Sequence, residues 1–404
     1  LTPEPLTPST PHEVAETLRH ASEQRRSVLI RGAGTKLDWG RPAGRIDVVL
    51  DMRRLNRVLA HQHGDLTATI EAGATLHDVN EALGRHGQWL PLDPPLAERA
   101  TIGGILATND SGPLRHRYGA PRDLVIGIQL ATTDGVLSKA GGQVVKNVAG
   151  YDLSKLVTGS FGSLAAIVSA TFKLSPLPAA SKTIRIAAAD ADGLGQLVHT
   201  VMASQLEPIA FELASRRSIE SPQNAQPNKI SADSAGCALT VVMRFASLPA
   251  VVDAQIAQAT AALKASTTAL DVLEGAPERA LWHEHATWLW NAPGAIVRAS
   301  WLPANIAAGL GALAQMGDGI EIIGRAAIGA GLIRIDGEAA AQASVIEQLR
   351  ASRLFGNIVI VRGCAALKAT VDVWGPQGDR QPLFDSLKRA FDPNGVLNAG
   401  RGPL

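Results

Sequence analysis

The segment RGAGTK over 31–36 places two glycines around an alanine directly after the apolar run SVLI. Successive backbone N–H groups in such a turn form a concave anion site. Gly32 and Gly34 are free to take positive φ and let a pyrophosphate approach the chain. It is not a dinucleotide fingerprint, because GxGxxG needs glycine at position 37 and the chain has Leu37. A second segment, ATIGGILATNDSG over 100–112, sets Gly103 and Gly104 behind Thr101 and Ile102 and follows them with Thr108, Asn109 and Gly112. Adjacent glycines suit a backbone that presses against a flat ring or a phosphate. A third segment, KNVAGYDLSKLVTGSFGSLAAI over 146–167, mixes Gly150, Gly159 and Gly162 with small hydroxyls. Three such loops suggest a long, extended cofactor.

The elements that must position these loops are readable by period. TPHEVAETLRHASEQRR over 10–26 has Val14, Leu18 and Ala21 at helical spacing, with Thr10 as N-cap and Glu13 three residues on, the pattern of a capping box. SVLIR is a short buried strand feeding the first loop. RIDVVLDM and LTATIEAG are strands, the second alternating Thr67, Thr69 and Glu71 against Ala68, Ile70 and Ala72. LHDVNEALGRHG is an amphipathic helix with Leu76, Val79 and Leu83 on one face. From Trp89 to Arg122 the text is dense in Pro, Gly, Asn and Asp and reads as one long loop, a length uncommon inside a domain unless it is functional. LVIGIQLATTDGVLSKAGG reads as a hairpin through Asp134 and Gly135, and LAAIVSATFKLSPLP as a closing strand. Beyond Ala179, strands such as KTIRIAA, CALTVVMRF, AIVRASWL and GLIRIDG alternate with helices such as AVVDAQIAQATAALKAS, which predicts a second α+β domain. SPQNAQPNKISADSAG is a polar surface loop.

Composition sets the bounds. A chain of 404 residues holds two domains, conceivably three. Apolar residues at 46% and charged residues at 19% are an ordinary globular balance, which excludes disorder and a fibrous protein. Thirty-eight Lys and Arg against 37 Asp and Glu leave +1, about +2 before and −1 after a cut at Pro178, so nucleic acid is not an expected partner. Cys237 and Cys364 make neither a disulfide framework nor a thiolate metal site. The longest uncharged runs, 156–172 and 299–317, are broken by glycines and polar residues, so no transmembrane segment is expected. The opening text LTPEPLTPSTPHEV has neither the basic n-region nor the apolar h-region of a secretory signal. The expected location is cytoplasmic, with peripheral docking on the inner membrane through a complex left open.

Five blocks, namely GAGT, DPPLAERATIGGILATNDSG, RYGAPRDLVIGIQLATTDG, GGQVVKNVAGYDLSKLVTGSFGSLAAI and FKLSPLP, follow one another in an order that resembles the FAD-binding domain of the p-cresol methylhydroxylase (PCMH) and vanillyl-alcohol oxidase superfamily. Within it the blocks more closely resemble glycolate oxidase FAD-binding subunits. The likeness covers the first 178 residues and returns in LKRAFDPNGVLNAGR, 387–401. It implies a two-domain PCMH-type α+β fold: an FAD-binding domain over 1–178, an α+β cap or substrate domain over 179–380, and a tail over 381–404 that returns to the first. It also implies that Arg31, Gly32, Ala33, Gly34, Thr35 and Lys36 wrap the FAD pyrophosphate, and that Asp93 belongs to the same site. Thr101, Ile102, Gly103, Gly104, Thr108, Asn109 and Gly112 would run beside the ribityl chain and ring. Gly119, Gly162 and Ile167 would complete the pocket, Ile167 through backbone atoms near the adenine. Relatives that attach flavin covalently use a His in the first loop or elsewhere, and a Cys in the second. Here the first loop carries Thr35 and Lys36 and the second has no Cys, so the FAD is expected to be non-covalent.

Oxidising a 2-hydroxy acid at a flavin requires a cation for the carboxylate, a base for the hydroxyl proton, and a Cα–H aimed at the ring. Arg298, in AIVRASW, is the candidate clamp, with Arg325 and Arg334 as rivals and an internal ion pair as the plainer account of each. The resemblance would place a His-rich metal and base motif in the second domain of D-lactate-type dehydrogenases and of the larger glycolate oxidase subunit. No such motif stands here, and no metal is expected. His283 and His285 share a face only in a strand, while LWHEHATWLW reads equally as a helix; His61 and His63 flank a polar turn and read as solvent-exposed. Trp282, Trp288, Trp290 and Trp301 read as core packing, with a subunit-docking face as the alternative. Lys146 and Lys155, beside Tyr151, fit either the flavin's surroundings or the surface.

The resemblance therefore implies an FAD-binding subunit of a glycolate oxidase (dehydrogenase) complex. Its small 2-hydroxy acid substrate would be oxidised to glyoxylate, with electrons passing through flavin to a larger flavoprotein subunit and an iron–sulfur subunit. Two alternatives stand beside it: a free-standing FAD-dependent, D-lactate-like dehydrogenase, and a non-catalytic assembly subunit that holds flavin.

Overall fold

Thr10 caps the first helix, Pro11–Glu23, its hydroxyl accepting from the Glu13 N–H at 3.2 Å. The Glu13 carboxylate returns to the Ser9 N–H, 2.6 Å away, so the box closes one residue earlier than the sequence pattern places it. Val14, Leu18 and Ala21 on this helix pack against Val28, Leu50, Val168 and Val396, bringing together residues from four distant stretches of the chain. The computed structural model describes residues 5–142, 151–217, 237–264 and 269–403. The expected polar loop over 221–236, and Lys146 and Gly150 of the third loop, lie outside the described residues.

The chain divides into two units. The first comprises Leu1–Leu114, Tyr118–Leu177 and Pro376–Leu404; the second, Arg115–Arg117 and Pro178–Gly375. Both mix helices with sheet, the α+β class that the sequence pattern predicts.

In the first unit, Pro5–Leu6, Val48–Asp51 and Val28–Arg31 form a parallel sheet with Val48–Asp51 in the centre. Central strands of parallel sheets are covered on both faces, and all four residues of Val48–Asp51 are buried. Five antiparallel strands make the second sheet, in the spatial order Val58–Gln62, Thr67–Glu71, Ala166–Lys173, Val125–Ala131 and Leu137–Gly141. The hairpin through Asp134 and Gly135 forms as its turn residues predict, Gly135 taking φ +83°.

Three readings change. HQHGD is more than a turn: His61 lies in the strand Val58–Gln62, which pairs with Thr67–Glu71. The alternation in Thr67–Glu71 has no solvent face, because Thr69 bonds Thr171 at 2.9 Å and Glu71 pairs with Arg57. The stretch from Trp89 to Arg122 carries three short helices, Ile102–Thr108, Arg115–Tyr118 and Pro121–Leu124, hidden from the sequence by their brevity and their glycines.

The tail returns to the first unit by specific bonds. Lys388 Nζ donates to the carbonyls of Ser163 (2.8 Å) and Leu397 (3.0 Å) and pairs with buried Asp392. Asp392 in turn accepts from the N–H groups of Val396 and Leu397. This leaves Leu397 bridged to Val28, at the start of the strand that feeds the first loop.

The second unit is built on one eight-stranded sheet in the order Ala269–Glu274, Ala180–Ala188, Cys237–Ser247, Ala210–Arg217, Ile320–Arg325, Ala330–Ile335, Ala295–Trp301 and Phe355–Arg362, antiparallel throughout. Among the described residues no helix is long and apolar enough to cross a membrane.

Candidate cofactor site

The strand Val28–Arg31 ends at the rim of a cleft in the first unit. The whole first loop, Arg31 to Lys36, lines it. The two glycines of this loop serve different ends. Gly34 sits at φ +76°, in the left-handed region that glycine alone enters without cost. Gly32 does not take positive φ, contrary to the sequence reading; a Cβ there would stand 2.0 Å from Thr101 Oγ1, so its role is close approach between the first and second loops.

The second loop contributes Thr101, Gly103, Gly104 and Thr108 to the lining, all on or at the start of the helix Ile102–Thr108. The third loop contributes Phe161, Gly162, Ala165 and Ile167. It is fixed to the back of that helix by N–H donation from Gly159 to Leu106 O (2.9 Å) and from Phe161 to Ala107 O (2.8 Å).

Five of the expected residues stand behind this lining. Asp93 accepts from the Leu114 N–H at 2.9 Å, and a Cβ on Gly112 would strike the Asp93 carbonyl at 2.0 Å, so this pair folds the second loop back on itself. Ile102 is core. Asn109 ends its helix in the left-handed region and accepts from the Arg122 N–H, while Gly119 turns the chain beside Asp123. They shape the wall from outside.

Of the first loop's two cations, Lys36 is the one with donors to spare. Arg31 is turned back onto Asp51, its Nη2 3.1 Å from Oδ2. Burial pushes the Asp51 carboxyl up, but hydrogen bonds from Arg53 and Arg31 outweigh it and hold the group below its usual range. Lys36 Nζ lies 3.2 Å from Asp110 Oδ2 and 5.7 Å from the centre of the Trp39 ring, with its side chain 7% exposed. It makes no hydrogen bond among the described residues. A buried ammonium with donors to spare, on a glycine loop that lines a cleft, fits a phosphate ligand.

Among the lining residues that were not expected, Asn398 and Arg401 come from the far end of the chain. Asn398 Oδ1 accepts from the Ile30 N–H (3.0 Å) and its Nδ2 donates to Phe161 O (2.6 Å), joining the first loop's strand to the third loop. Arg401 donates to the carbonyls of Leu37 and Trp39, and burial pushes its guanidinium below the usual value. The signal for both was the C-terminal block LKRAFDPNGVLNAGR, legible as a returning segment but not as a source of lining side chains.

In the second unit, Arg298 is half-buried in the strand Ala295–Trp301, in register with Leu332 and Val359. Arg334 is committed to Glu321, Asp336 and the Pro293 carbonyl, which removes it as a carboxylate clamp. Arg325 stands 3.7 Å from the wholly buried Glu212. His285 Nε2 lies 3.1 Å from the other oxygen of Glu212. Glu212 Oε1 makes no hydrogen bond among the described residues. His116 is coupled to the same carboxylate: burial pushes its imidazole down, Glu212 pulls it up and Arg117 pushes it down. His283 and His285 lie in the helix Gly275–Asn291, one exposed and one buried, so they cannot share a metal. Of the four tryptophans Trp301 is buried and the others are half-buried: Trp282 donates to Thr183, and Trp288 and Trp290 stack on Arg216 and Arg362.

Glycine loops, a buried unsatisfied ammonium and a second α+β unit define the class. Residues 6–141 match the FAD binding domain family, and residues 177–303 the C-terminal domain family of FAD linked oxidases. The chain has the two-domain fold of FAD-linked oxidases, and FAD is its cofactor. It is 33% identical over 207 residues to the glycolate oxidase subunit GlcD of Bacillus subtilis (strain 168), covering 51% of this chain and 44% of that one. To the glycolate oxidase subunit GlcE of Escherichia coli (strain K12) it is 36% identical over 171 residues, 42% of this chain and 48% of that one. The chain thus spans about half the length of these curated relatives. A solved alkyldihydroxyacetonephosphate synthase shares the fold, with a TM-score of 0.71 at 18% identity over 98% of this chain and 75% of that one.

Proposed function

We propose that this chain is the FAD-binding subunit of a glycolate oxidase (dehydrogenase) complex, working in the cytoplasm or at the inner membrane through its partners. The observation that carries the reading is the likeness to two glycolate oxidase subunits, over 207 and 171 residues. Those relatives' names, each a subunit, support partner subunits; a larger flavoprotein subunit and an iron–sulfur subunit complete the proposed electron path. FAD, held by the residues named below, would supply the acceptor for the two electrons and two protons that glycolate loses in becoming glyoxylate.

Lys36 and the N–H groups of the Arg31–Lys36 loop would hold the pyrophosphate; Thr101, Gly103, Gly104 and Thr108 would bound the remainder of the cofactor, and Gly162 and Ile167 its far end. Asp93, Ile102, Asn109, Gly112 and Gly119 would keep the second loop in shape. No described residue of the lining is His, Cys or Tyr, which supports a non-covalent flavin.

A second reading, a free-standing 2-hydroxy acid dehydrogenase, is favoured by the Glu212, His285, Arg325 and His116 cluster. A buried carboxylate that orients an imidazole is the arrangement of a general base, and Arg298, on the strand Ala295–Trp301, is the candidate cation for a substrate carboxylate.

The test is an anaerobic absorbance spectrum of the FAD-loaded chain before and after glycolate. A flavin band that bleaches only when the partner subunits are added supports the complex. Bleaching of the chain alone supports the free-standing enzyme. Failure to take up FAD at all rejects both.

A further inference from the structure

We infer that the first unit carries a three-histidine site for a borderline divalent transition metal, Zn²⁺ foremost, formed by His61, His63 and His86. One ring nitrogen from each lies within 4.8 Å of the other two. The ring centres of His61 and His63 are 4.1 Å apart, those of His63 and His86 3.9 Å, and those of His61 and His86 5.3 Å. None of the three lines the cofactor cleft.

The topology explains the meeting. His61 sits on the strand Val58–Gln62 and His63 opens the turn that follows, while His86 comes just after the helix Leu76–Gly84. His86 N–H donates to Leu83 O, and Gly87, at φ +68°, turns the chain into the short strand Gln88–Trp89. Hairpin tip and helix end therefore face one another.

Gln88 fixes the ligand chemistry. Its side chain is buried, with Nε2 donating to the His63 carbonyl at 2.9 Å and Oε1 standing 2.8 Å from His61 Nε2. A carbonyl oxygen only accepts, so the amide nitrogen must face His63 and the amide oxygen must face His61. His61 Nε2 must then carry the proton, which leaves Nδ1 with its lone pair free for a metal. A metal-bound histidine is ordinarily held in this way, through a hydrogen bond from its second nitrogen that sets the tautomer.

Imidazole suits zinc, copper and nickel. Ligands about 2.0–2.1 Å from one tetrahedral zinc stand about 3.3 Å apart. His63 and His86 are exposed, so their rings are free to turn through the remaining distance, while half-buried His61 is the fixed point. The fourth position opens to solvent and takes water. Metal there would clip the hairpin tip to the end of the helix Leu76–Gly84.

The experiment uses the full FAD-loaded chain stripped with a chelator, then titrated with Zn²⁺ by calorimetry and with Co²⁺ by absorbance. One Zn²⁺ per chain and an intense four-coordinate Co²⁺ band are expected. Both vanish in the His63→Ala/His86→Ala double variant, whose unchanged flavin spectrum reports an intact fold. Gln88→Met, which keeps the volume and loses both hydrogen bonds, weakens Zn²⁺ about 10- to 100-fold. Zn²⁺ uptake that is the same in the double variant, or Co²⁺ that stays weakly absorbing and six-coordinate, overturns the site.

Discussion

Lys36 Nζ and Asp110 Oδ2 face each other at 3.2 Å with both side chains more than nine-tenths buried, and neither atom has a hydrogen bond among the described residues. An ion pair so placed is costly to bury, and its spare hydrogen-bonding capacity is directed at something else. In the cleft that something is an anion. Lys36→Met should weaken FAD at least tenfold and, by leaving Asp110 charged and alone, destabilise the apo-protein by about 3–5 kcal/mol. Lys36→Met/Asp110→Asn should recover most of the stability and none of the affinity. Flavin titration and thermal melts of the same variants separate the two effects. Recovery of affinity in the double variant would show that Lys36 acts only through Asp110.

Asn398 holds the first and third loops together from the far end of the sequence. Asn398→Ala leaves the Ile30 N–H and the Phe161 carbonyl without their partner, at about 1–3 kcal/mol for each buried group. It also puts alanine at φ +41°, where asparagine is tolerated better. The expected outcome is a lower melting temperature that added FAD partly restores, since a ligand of the folded state stabilises by mass action. A melting curve with and without FAD checks it. An unchanged melt would mean that the tail is held by Lys388 and Asp392 alone.

What the sequence shows and what it hides follow from the range of the interactions. The first loop, the Thr10 cap and the Asp134 and Gly135 turn are local chemistry, and each is legible in a few residues. The helix Ile102–Thr108 is hidden because glycine at two of its seven positions reads as loop, and what holds it is long-range: Gly103 donates to Ala72 O at 2.8 Å. Asn398 is hidden as a lining residue because its partners lie more than two hundred residues away. Glu212 left one trace, a lone acid in the apolar text IAFELAS, but nothing local names His285 or Arg325 as its neighbours. The three histidines divide in the same manner: His61 and His63 are plain as a pair, and only the fold supplies His86.

Asp51 provides the pH dependence. Its carboxyl is held below the ordinary value in the folded state, so its contribution to stability is complete above about pH 4, the unfolded carboxylate value. That contribution is lost as pH falls through the lowered folded value. Asp51→Asn should be less stable than the parent at pH 7, and the gap should close on acidification below about pH 4. Denaturant midpoints measured from pH 7 down to pH 3 give the difference directly. A gap independent of pH would assign the loss to packing at the end of Val48–Asp51 and not to charge.

Glu212 decides between the two functional readings. If the second unit removes the substrate's hydroxyl proton, Glu212 acts by orienting His285, and Glu212→Gln keeps the volume while removing the carboxylate that faces His285 Nε2 at 3.1 Å. Glycolate-driven bleaching of the flavin should then slow about 10²- to 10⁴-fold, the range of general acid–base catalysis, while FAD content stays that of the parent. His285→Gln should match it, and the double variant should add little, because the two residues act as a unit. Rapid-mixing absorbance under anaerobic conditions reads the rate. Equal bleaching in parent and Glu212→Gln, with or without partner subunits, would assign the cluster to the packing of the second unit and leave the chemistry to a partner.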